Sequence, residues 1–253
     1  MRRLMNKERF SMLAACIRTE RMKLRHSHLW LVFLAVPLLP TVLGAANYLN
    51  NISILKSEWY SLWTQHSLFY ANFFYGPLIA IYCSYIWRVE HLNYNWNSLM
   101  TMPVAERDIF LAKLLLTLRC TAALQLWVGV LFTVSGKLAG LPGVPPAEIL
   151  FWLFRGSLGG MVTAALQLLL SMMLRSFAVP IVIALLGSVA GFLMINGGYG
   201  MIWPYSLMMM GMNANKSTDT LSSPAGFAAA LCVFLVLFVS IGIRYLKHKD
   251  VHA

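Results

Sequence analysis

One stretch decides the fold class, residues 225–243, which read Ala225-Gly-Phe-Ala-Ala-Ala-Leu-Cys-Val-Phe-Leu-Val-Leu-Phe-Val-Ser-Ile-Gly-Ile243. It carries no charge and contains eleven Leu, Ile, Val or Phe residues. At roughly −0.4 kcal/mol each on the membrane-insertion scale, these residues contribute about −4 kcal/mol toward insertion. The stretch is therefore predicted to be a transmembrane helix.

Five further apolar runs precede this one. The predicted spans are residues 29–49, 68–87, 111–135, 150–174, 177–195 and 225–243. The chain is 59% hydrophobic and 11% charged, whereas a soluble domain carries roughly 25% charged residues. We therefore expect an all-α membrane protein in which residues 1–253 form a single transmembrane domain with six helices. Because no segment is long enough for a sizeable soluble domain, any catalysis or nucleotide binding in water must come from a partner.

The distribution of Lys and Arg predicts the orientation. If the N-terminus is cytoplasmic, the inner segments carry fifteen basic residues and the outer loops carry Lys56, Lys137 and Lys216. The fifteen are Arg2, Arg3, Lys7, Arg9, Arg18, Arg21, Lys23, Arg25, Arg88, Arg107, Lys113, Arg175, Arg244, Lys247 and Lys249. Because cytoplasmic loops are rich in Lys and Arg, both termini are predicted in the cytoplasm. Basic residues beside the spans also explain the net charge of +11 without nucleic acid binding.

Two arginines, Arg119 and Arg155, fall within predicted spans. Both lie near span ends, where we expect their side chains to snorkel toward the headgroups rather than contact a substrate.

The segment before the first span, residues 1–28, is basic. Apolar residues recur there at helical spacing, and they are Phe10, Leu13, Ala14, Ile17 and Leu24. This pattern predicts an amphipathic helix on the inner membrane face. The alternative is a disordered basic leader, because Arg and Lys crowd both flanks.

The predicted spans contain no motif or residue cluster that carries chemistry in enzymes. Lys137 follows Gly136, but Leu138 stands where a phosphate-binding loop needs Ser or Thr. The six histidines are predicted in loops or tails, and the four cysteines form no CxxC pair. No Asp or Glu lies well inside a span, which disfavours an ion-coupled transporter or an intramembrane protease. We therefore expect no catalytic residue, metal ion or cofactor in this chain.

Pairs of small residues occur in the fourth and fifth spans. Gly156 and Gly160, and likewise Gly187 and Gly191, are four residues apart. Such spacing permits close helix approach, within the chain or between two chains, so packing is their predicted role.

The connection between the second and third spans reads Arg88-Val-Glu-His-Leu-Asn-Tyr-Asn-Trp-Asn-Ser-Leu-Met-Thr-Met-Pro-Val-Ala-Glu-Arg107. Residues 90–100 suit a short helix that Pro103 ends. Leu92, Trp96 and Leu99 are predicted to share one exposed face, with Trp96 as an aromatic anchor for a partner. The alternative is a helix that lies on lipid headgroups.

The outer segments are also informative. Residues 50–67 are polar, and Trp59 and Trp63 are predicted at the membrane interface. Residues 196–224 are long enough to fold back into the membrane or to touch a substrate. Their candidate contact residues are Trp203, Pro204, Tyr205 and Met209, because aromatic and Met side chains suit adaptable binding.

The order Glu90, Trp96, Pro103, Arg107, Lys113 between the second and third spans resembles the coupling segment of ABC-2-type permeases. Residues 20–25, Glu20-Arg-Met-Lys-Leu-Arg25, are similar to the entry helix of that family. Residues 203–206, Trp203-Pro-Tyr-Ser206, resemble its lantibiotic-immunity branch, whose members have about this length and layout. The resemblance covers essentially the whole chain, although its motifs are short.

This resemblance implies a permease subunit without its own ATPase. A separate ATPase dimer binds ATP and Mg²⁺ and docks onto the segment Glu90 to Arg107. A second related permease subunit or a second copy of this chain completes the transporter. In the lantibiotic-immunity branch, the assembly expels a cationic antimicrobial peptide from a bacterial plasma membrane. The inner loop between the fourth and fifth spans consists of little more than Arg175 and Ser176. We therefore expect a second coupling contact at this loop to be slight.

Two alternatives remain open from the sequence. An ABC-2 permease for another drug, a lipid or a polysaccharide shares the mechanism and differs in cargo. A non-transporting membrane sensor or scaffold that binds a signalling partner through residues 90–107 belongs to a different functional class.

Overall fold

The computed structural model describes residues 2–25, 27–92 and 95–248, with side chains from residue 12 onward in these ranges. Within them the chain forms helices and no strand, which confirms the all-α fold class. The helices are α1 (Arg2–Leu24), α2 (Leu29–Ala35), α3 (Leu38–Asn50), α4 (Glu58–Phe69), a π-helix (Tyr70–Tyr75), α5 (Gly76–His91), α6 (Asn95–Met100), α7 (Glu106–Leu138), α8 (Ala147–Met173), α9 (Ala178–Asn196), a 3-10 helix (Gly200–Ile202), α10 (Ser206–Gly211) and α11 (Pro224–His248).

Five helical stretches in the described part of the chain are long and apolar enough to cross a membrane. They are Leu29–Asn50, Glu106–Leu138, Ala147–Met173, Ala178–Asn196 and Pro224–His248. The predicted span at residues 68–87 is not among them. It lies in the helical run from α4 through the π-helix into α5, where Asn72, Gly76 and Pro77 interrupt the apolar sequence. A sixth membrane crossing therefore stays a prediction.

Proline explains both irregular spans. The first span breaks between α2 and α3 at Pro37, whose carbonyl accepts a hydrogen bond from the Thr41 hydroxyl at 2.8 Å. The π-helix ends just before Pro77, which cannot donate a backbone hydrogen bond. Proline lacks the backbone N–H that a regular helix uses, and a membrane bundle tolerates the resulting irregularity.

Local signals set the ends of the long helices. Glu106 and Asp108 lie in the first turn of α7 and Lys137 in its last turn, so these charges complement the helix dipole. Gly140, with φ +81°, follows the end of α7 and allows the chain to turn. The Ser223 hydroxyl accepts the Gly226 N–H at 3.1 Å and caps α11.

Helix α8 lies at the centre of the bundle and contacts α5, α7, α10 and α11. Because α8 is central, its residues Val162, Ala164 and Leu168 are fully buried. Helices α5 and α9 pack together, as do α3 and α4. By contrast, large apolar side chains of α9 and α11 such as Leu186 and Val236 are exposed, as expected for helices that face lipid.

Helix α1 packs against the first part of α7. Along α1, Cys16 and Lys23 are partly buried and Glu20 is buried, so the side chains facing α7 recur every three or four residues. Ala14, predicted on the apolar face, is exposed, and the side chain of Phe10 lies outside the described residues. The contact of α1 with the membrane surface stays a prediction.

We call the end of the bundle that carries Arg18, Arg88, Arg107 and Arg175 the basic end. The other end is the opposite end, and there α4 packs into the bundle. Trp59 and Trp63 lie in α4 and are 4% and 0% exposed, and their position at a membrane interface stays a prediction. Trp63 packs edge-on against Phe132 at 5.3 Å. The prediction that His66 lies in a loop was wrong, because His66 is fully buried in α4, where its Nε2 lies 3.1 Å from the Thr41 hydroxyl.

Candidate functional site

Four charged side chains form a cluster at the basic end, which we call the Lys113 cluster. Its members are Glu20 and Lys23 of α1, Glu90 of α5 and Lys113 of α7. Lys113 Nζ lies 2.7 Å from both Glu90 Oε1 and Glu20 Oε2. Lys23 Nζ lies 2.9 Å from Glu20 Oε1 and 2.5 Å from Glu90 Oε1. Two lysines thus balance two carboxylates and join three helices.

Burial sets the electrostatics of the Lys113 cluster. The Lys113 side chain is 0% exposed and that of Glu90 is 3% exposed. Burial by itself raises the pKa of Glu90, but Lys113 and Lys23 outweigh it and hold that pKa below its ordinary value. Burial lowers the pKa of Lys23, whereas the carboxylates of Glu20 and Glu90 raise it, and their effect prevails. Glu90 and Lys23 are therefore charged at neutral pH.

Aromatic rings connect α6 to this cluster. Lys113 Nζ lies 4.9 Å from the ring centre of Trp87, a cation–π contact. Trp96 of α6 packs 5.9 Å from Trp87 and stacks on His91 at 5.5 Å with an interplanar angle of 9°. The Asn95 amide donates to the Val89 carbonyl at 2.9 Å and so covers the end of α5. These contacts hold α6 against α5.

The outer surface of the same segment is open. Leu92, Ser98, Met102, Pro103 and Arg107 are exposed. They surround the short helix α6 at the basic end, where the structure leaves them available to a partner. We call these five residues the exposed face.

Four predicted docking residues occupy different positions from those expected. Glu90 is 2% exposed and belongs to the Lys113 cluster, so it cannot contact a partner directly. Trp96 and Leu99 are 7% and 5% exposed and face the bundle, because Trp96 is stacked on His91. Leu92 follows α5 in extended backbone and does not share their helical face. Within the predicted segment, Leu92, Pro103 and Arg107 remain on the surface.

The opposite end contains a second ion pair. The Arg155 guanidinium donates two hydrogen bonds to the Asp219 carboxylate, at 2.8 and 3.0 Å, and a third to the Gly211 carbonyl at 2.9 Å. The Trp152 indole N–H also donates to Asp219, at 3.2 Å. The hydrogen bonds of Arg155 hold the pKa of Asp219 below its ordinary value. The prediction that the Arg155 side chain snorkels toward the headgroups was therefore wrong, because this side chain is bound to Gly211 and Asp219.

We call residues 197–223 the folded-back segment, because α10 inserts beside the middle of α8. Tyr205 and Met209 are 3% and 1% exposed, so neither is available as a free loop contact for a substrate. The Gln167 amide donates to the Tyr205 hydroxyl at 2.7 Å. Trp203 and Pro204 remain partly exposed.

Small residues permit this insertion. A Cβ on Gly187 would lie 2.5 Å from the Tyr205 ring, and one on Gly191 would lie 3.1 Å from the Ser206 nitrogen. On α8, Gly156 faces the Met212 side chain, whereas Gly160 faces the Tyr75 hydroxyl. Three of the four glycines thus lie against the folded-back segment rather than against another long helix.

The sequence contained a weak signal for the two ion pairs that the sequence analysis did not predict. Lys113 and Arg155 lie in long apolar helices, where an ionisable side chain usually has a partner. The partners Glu20 and Asp219 lie 93 and 64 residues away along the chain. The described residues contain no group of three His, Cys, Asp or Glu side chains arranged to hold a metal.

A family model described as "ABC-2 family transporter protein" matches residues 16–191. The match includes the whole Lys113 cluster and ends before the folded-back segment. No curated protein gives a significant match to this chain. No solved structure gives one either.

Proposed function

Since this chain belongs to the ABC-2 family of transporter proteins, we propose that it is the membrane-spanning permease subunit of an ATP-driven exporter. The chain carries no ATPase motif, and its family implies partnership with an ABC ATPase. The exposed face around α6 is the proposed docking surface for that ATPase.

The Lys113 cluster is the observation that carries this proposal. ATP-driven closure of the ATPase pushes α6, and Trp96 passes the displacement to α5 through Trp87 and His91. Because the cluster ties α5 to α1 and α7, these three helices move together. An exporter without its own energy source needs such a connection between its docking surface and its spans.

The basic end is the proposed cytoplasmic end, with both termini on that side of a bacterial plasma membrane. Excess Lys and Arg marks cytoplasmic segments, and the ATPase must work where ATP is present. The exposed face lies at this end, so the charge distribution and the docking surface favour the same orientation.

The proposed cargo is a lantibiotic-type peptide, and the proposed assembly contains two permease subunits on an ATPase dimer. The cargo rests on the resemblance of Trp203-Pro-Tyr-Ser206 and of the overall layout to the lantibiotic-immunity branch. Because Tyr205 is buried, this motif supports the outer wall of the bundle rather than a mobile gate.

The test uses an exposed residue, since Trp96→Ala would also loosen α6 from the bundle. Met102 is 49% exposed beside α6, and Met102→Asp places a charge on the proposed docking surface. Tagged chains are purified from the native membrane in mild detergent, and co-purifying proteins are identified by mass spectrometry. We expect an ABC ATPase with the wild type and about tenfold less with M102D, a loss of roughly 1.4 kcal/mol.

Ser217→Asp is the matched control, because Ser217 is exposed at the opposite end. This variant is expected to retain the ATPase. If no ATPase co-purifies with the wild type, or if M102D alters signalling and leaves the ATPase bound, the scaffold alternative replaces the permease. If the ATPase co-purifies with the wild-type chain but deletion of the chain leaves peptide susceptibility unchanged, only the cargo is contradicted.

A further inference from the structure

A cavity of about 540 Å³ lies between α1 and α7 at the basic end. Four arginines line it: Arg18 and Arg21 of α1, Arg25 just after the end of α1, and Arg119 of α7. None of the four forms an ion pair with a carboxylate in the described part of the chain. The carboxylate of Glu20 on the same helix is already engaged by Lys23 and Lys113. The cavity is therefore an uncompensated positive site.

The position of Arg119 places this cavity at the level of the lipid headgroups. The hydrocarbon core of a bilayer is about 30 Å thick, which corresponds to roughly 20 helical residues. Counted back from the end of α7 at Leu138, that distance reaches Arg119. Arg25 also lies only four residues before α2 begins at Leu29. Both arginines thus lie where the apolar spans meet the basic end.

A groove of about 950 Å³ begins at the same arginine and runs between α7 and α8. Arg119 lines both the cavity and the groove. The remaining lining is mostly apolar and includes Ala122, Leu126, Val130 and Phe154. Leu126 and Phe154 are 74% and 60% exposed, so the groove is open to the surroundings of the bundle.

The groove is long enough for an acyl chain and continues beyond one leaflet to Val134. One leaflet of the hydrocarbon core is about 15 Å deep, or roughly ten helical residues. From Arg119 this depth reaches Gly129, where the missing side chain keeps the groove open between α7 and α8. A phosphate beside the arginines and a hydrocarbon chain in the groove are the two parts of one amphiphile.

We propose that this combined site binds an anionic phospholipid of the leaflet at the basic end, with its phosphate among the arginines and one acyl chain between α7 and α8. Arginine forms charge-assisted hydrogen bonds with phosphate oxygens. Each basic residue near the surface strengthens the binding of anionic lipid about fivefold. Because Arg18 and Arg21 belong to α1 and Arg25 follows its last residue, the bound lipid fixes α1 against α7 beside the Lys113 cluster. This site is independent of the identity of the exported cargo.

The test measures lipid binding to the full-length chain in detergent by native mass spectrometry. The probes are dioleoyl phosphatidylglycerol and dioleoyl phosphatidylcholine, which share their acyl chains and differ in net charge. We expect at least tenfold tighter binding of phosphatidylglycerol. Arg119→Gln is expected to weaken that binding about fivefold, and Arg21→Gln provides a second headgroup variant. Ala122→Trp, at an exposed groove position, is expected to block both lipids.

Arg175→Gln is the matched control, because Arg175 is an exposed arginine of the basic end outside the cavity. It is expected to bind lipid like the wild type. Equal affinity for both lipids, or equal losses in R175Q and R119Q, overturns the proposal. If A122W has no effect and inorganic phosphate displaces the lipid, the site binds phosphate alone. If A122W abolishes a dimer that excludes lipid, a second copy of the chain occupies the groove instead.

Discussion

The two ends of the bundle each contain an ion pair between distant parts of the chain, but they differ in how far the charges are removed from water. At the basic end, the side chains of Lys113 and Glu90 are 0% and 3% exposed. At the opposite end, those of Arg155 and Asp219 are 9% and 43% exposed. The first pair belongs to a balanced four-residue cluster, whereas the second has one partner open to solvent.

This difference indicates different roles. Inside a protein, a charge whose partner is removed remains desolvated, so a buried pair fixes the arrangement of the helices that carry it. The Lys113 cluster accordingly fixes α1, α5 and α7 relative to one another. The partly exposed pair holds an outer segment to α8, and water can replace part of its interaction.

Lys113→Met is expected to have the largest effect on stability. It leaves two buried carboxylates with one lysine, and breaking a buried pair in this way costs about 3–5 kcal/mol. For a chain of this length we expect the melting temperature in detergent to fall by roughly 10 °C. Lys137→Met is the control, since Lys137 is exposed at the other end of the same helix. Equal shifts in the two variants would show that the cluster does not hold these helices.

Asp219→Asn is expected to have a smaller effect. Arg155 keeps its hydrogen bond to the Gly211 carbonyl, and the neutral amide can still accept one bond from the guanidinium. We expect a loss of about 1–2 kcal/mol, or a fall of a few degrees in the melting temperature. Lys216→Gln, an exposed neighbour, serves as the control. A loss as large as that of K113M would remove the distinction between the two ends.

The smallest difference is expected in how the melting temperature changes at acidic pH. The pKa of Glu90 is below its ordinary value of 4.5 in the folded chain, so its contribution is complete above that value and is lost as the pH falls through the folded pKa. Glu90→Gln should therefore be less stable than the wild type at neutral pH. The gap in melting temperature between the two should close below about pH 4.5, because protonated Glu90 also lacks charge. A constant gap down to pH 3 would contradict the pairing of Glu90.

Sequence patterns were sufficient to predict five of the six apolar spans and a short helix between α5 and α7, which begins at Asn95 rather than at residue 90. They also indicated that Lys and Arg collect at one end. The patterns did not separate the outward from the inward face of α6, because a six-residue helix has too few positions to show a periodicity. Trp96 was therefore predicted as an exposed anchor, although it stacks on His91 inside the bundle.

The outer segment shows the same limit. Its Gly, Pro and Met residues are typical of an irregular loop, and the sequence left open whether it folds back. The decision depends on the shape of α8 and α9, whose glycines leave room for the folded-back segment at Tyr205 and Met212. A loop-forming composition does not reveal that a cavity of matching shape exists elsewhere in the chain.

The sequence by itself determined that this chain is built from long apolar helices with a basic end, because insertion free energy is a sum over neighbouring residues. Only the tertiary structure decided that Lys113 meets Glu20 across 93 residues and that Arg155 meets Asp219 across 64. The sequence shows directly which residues are charged. Its partner depends on which helices pack together, and that packing is settled by the shapes of all the side chains between them.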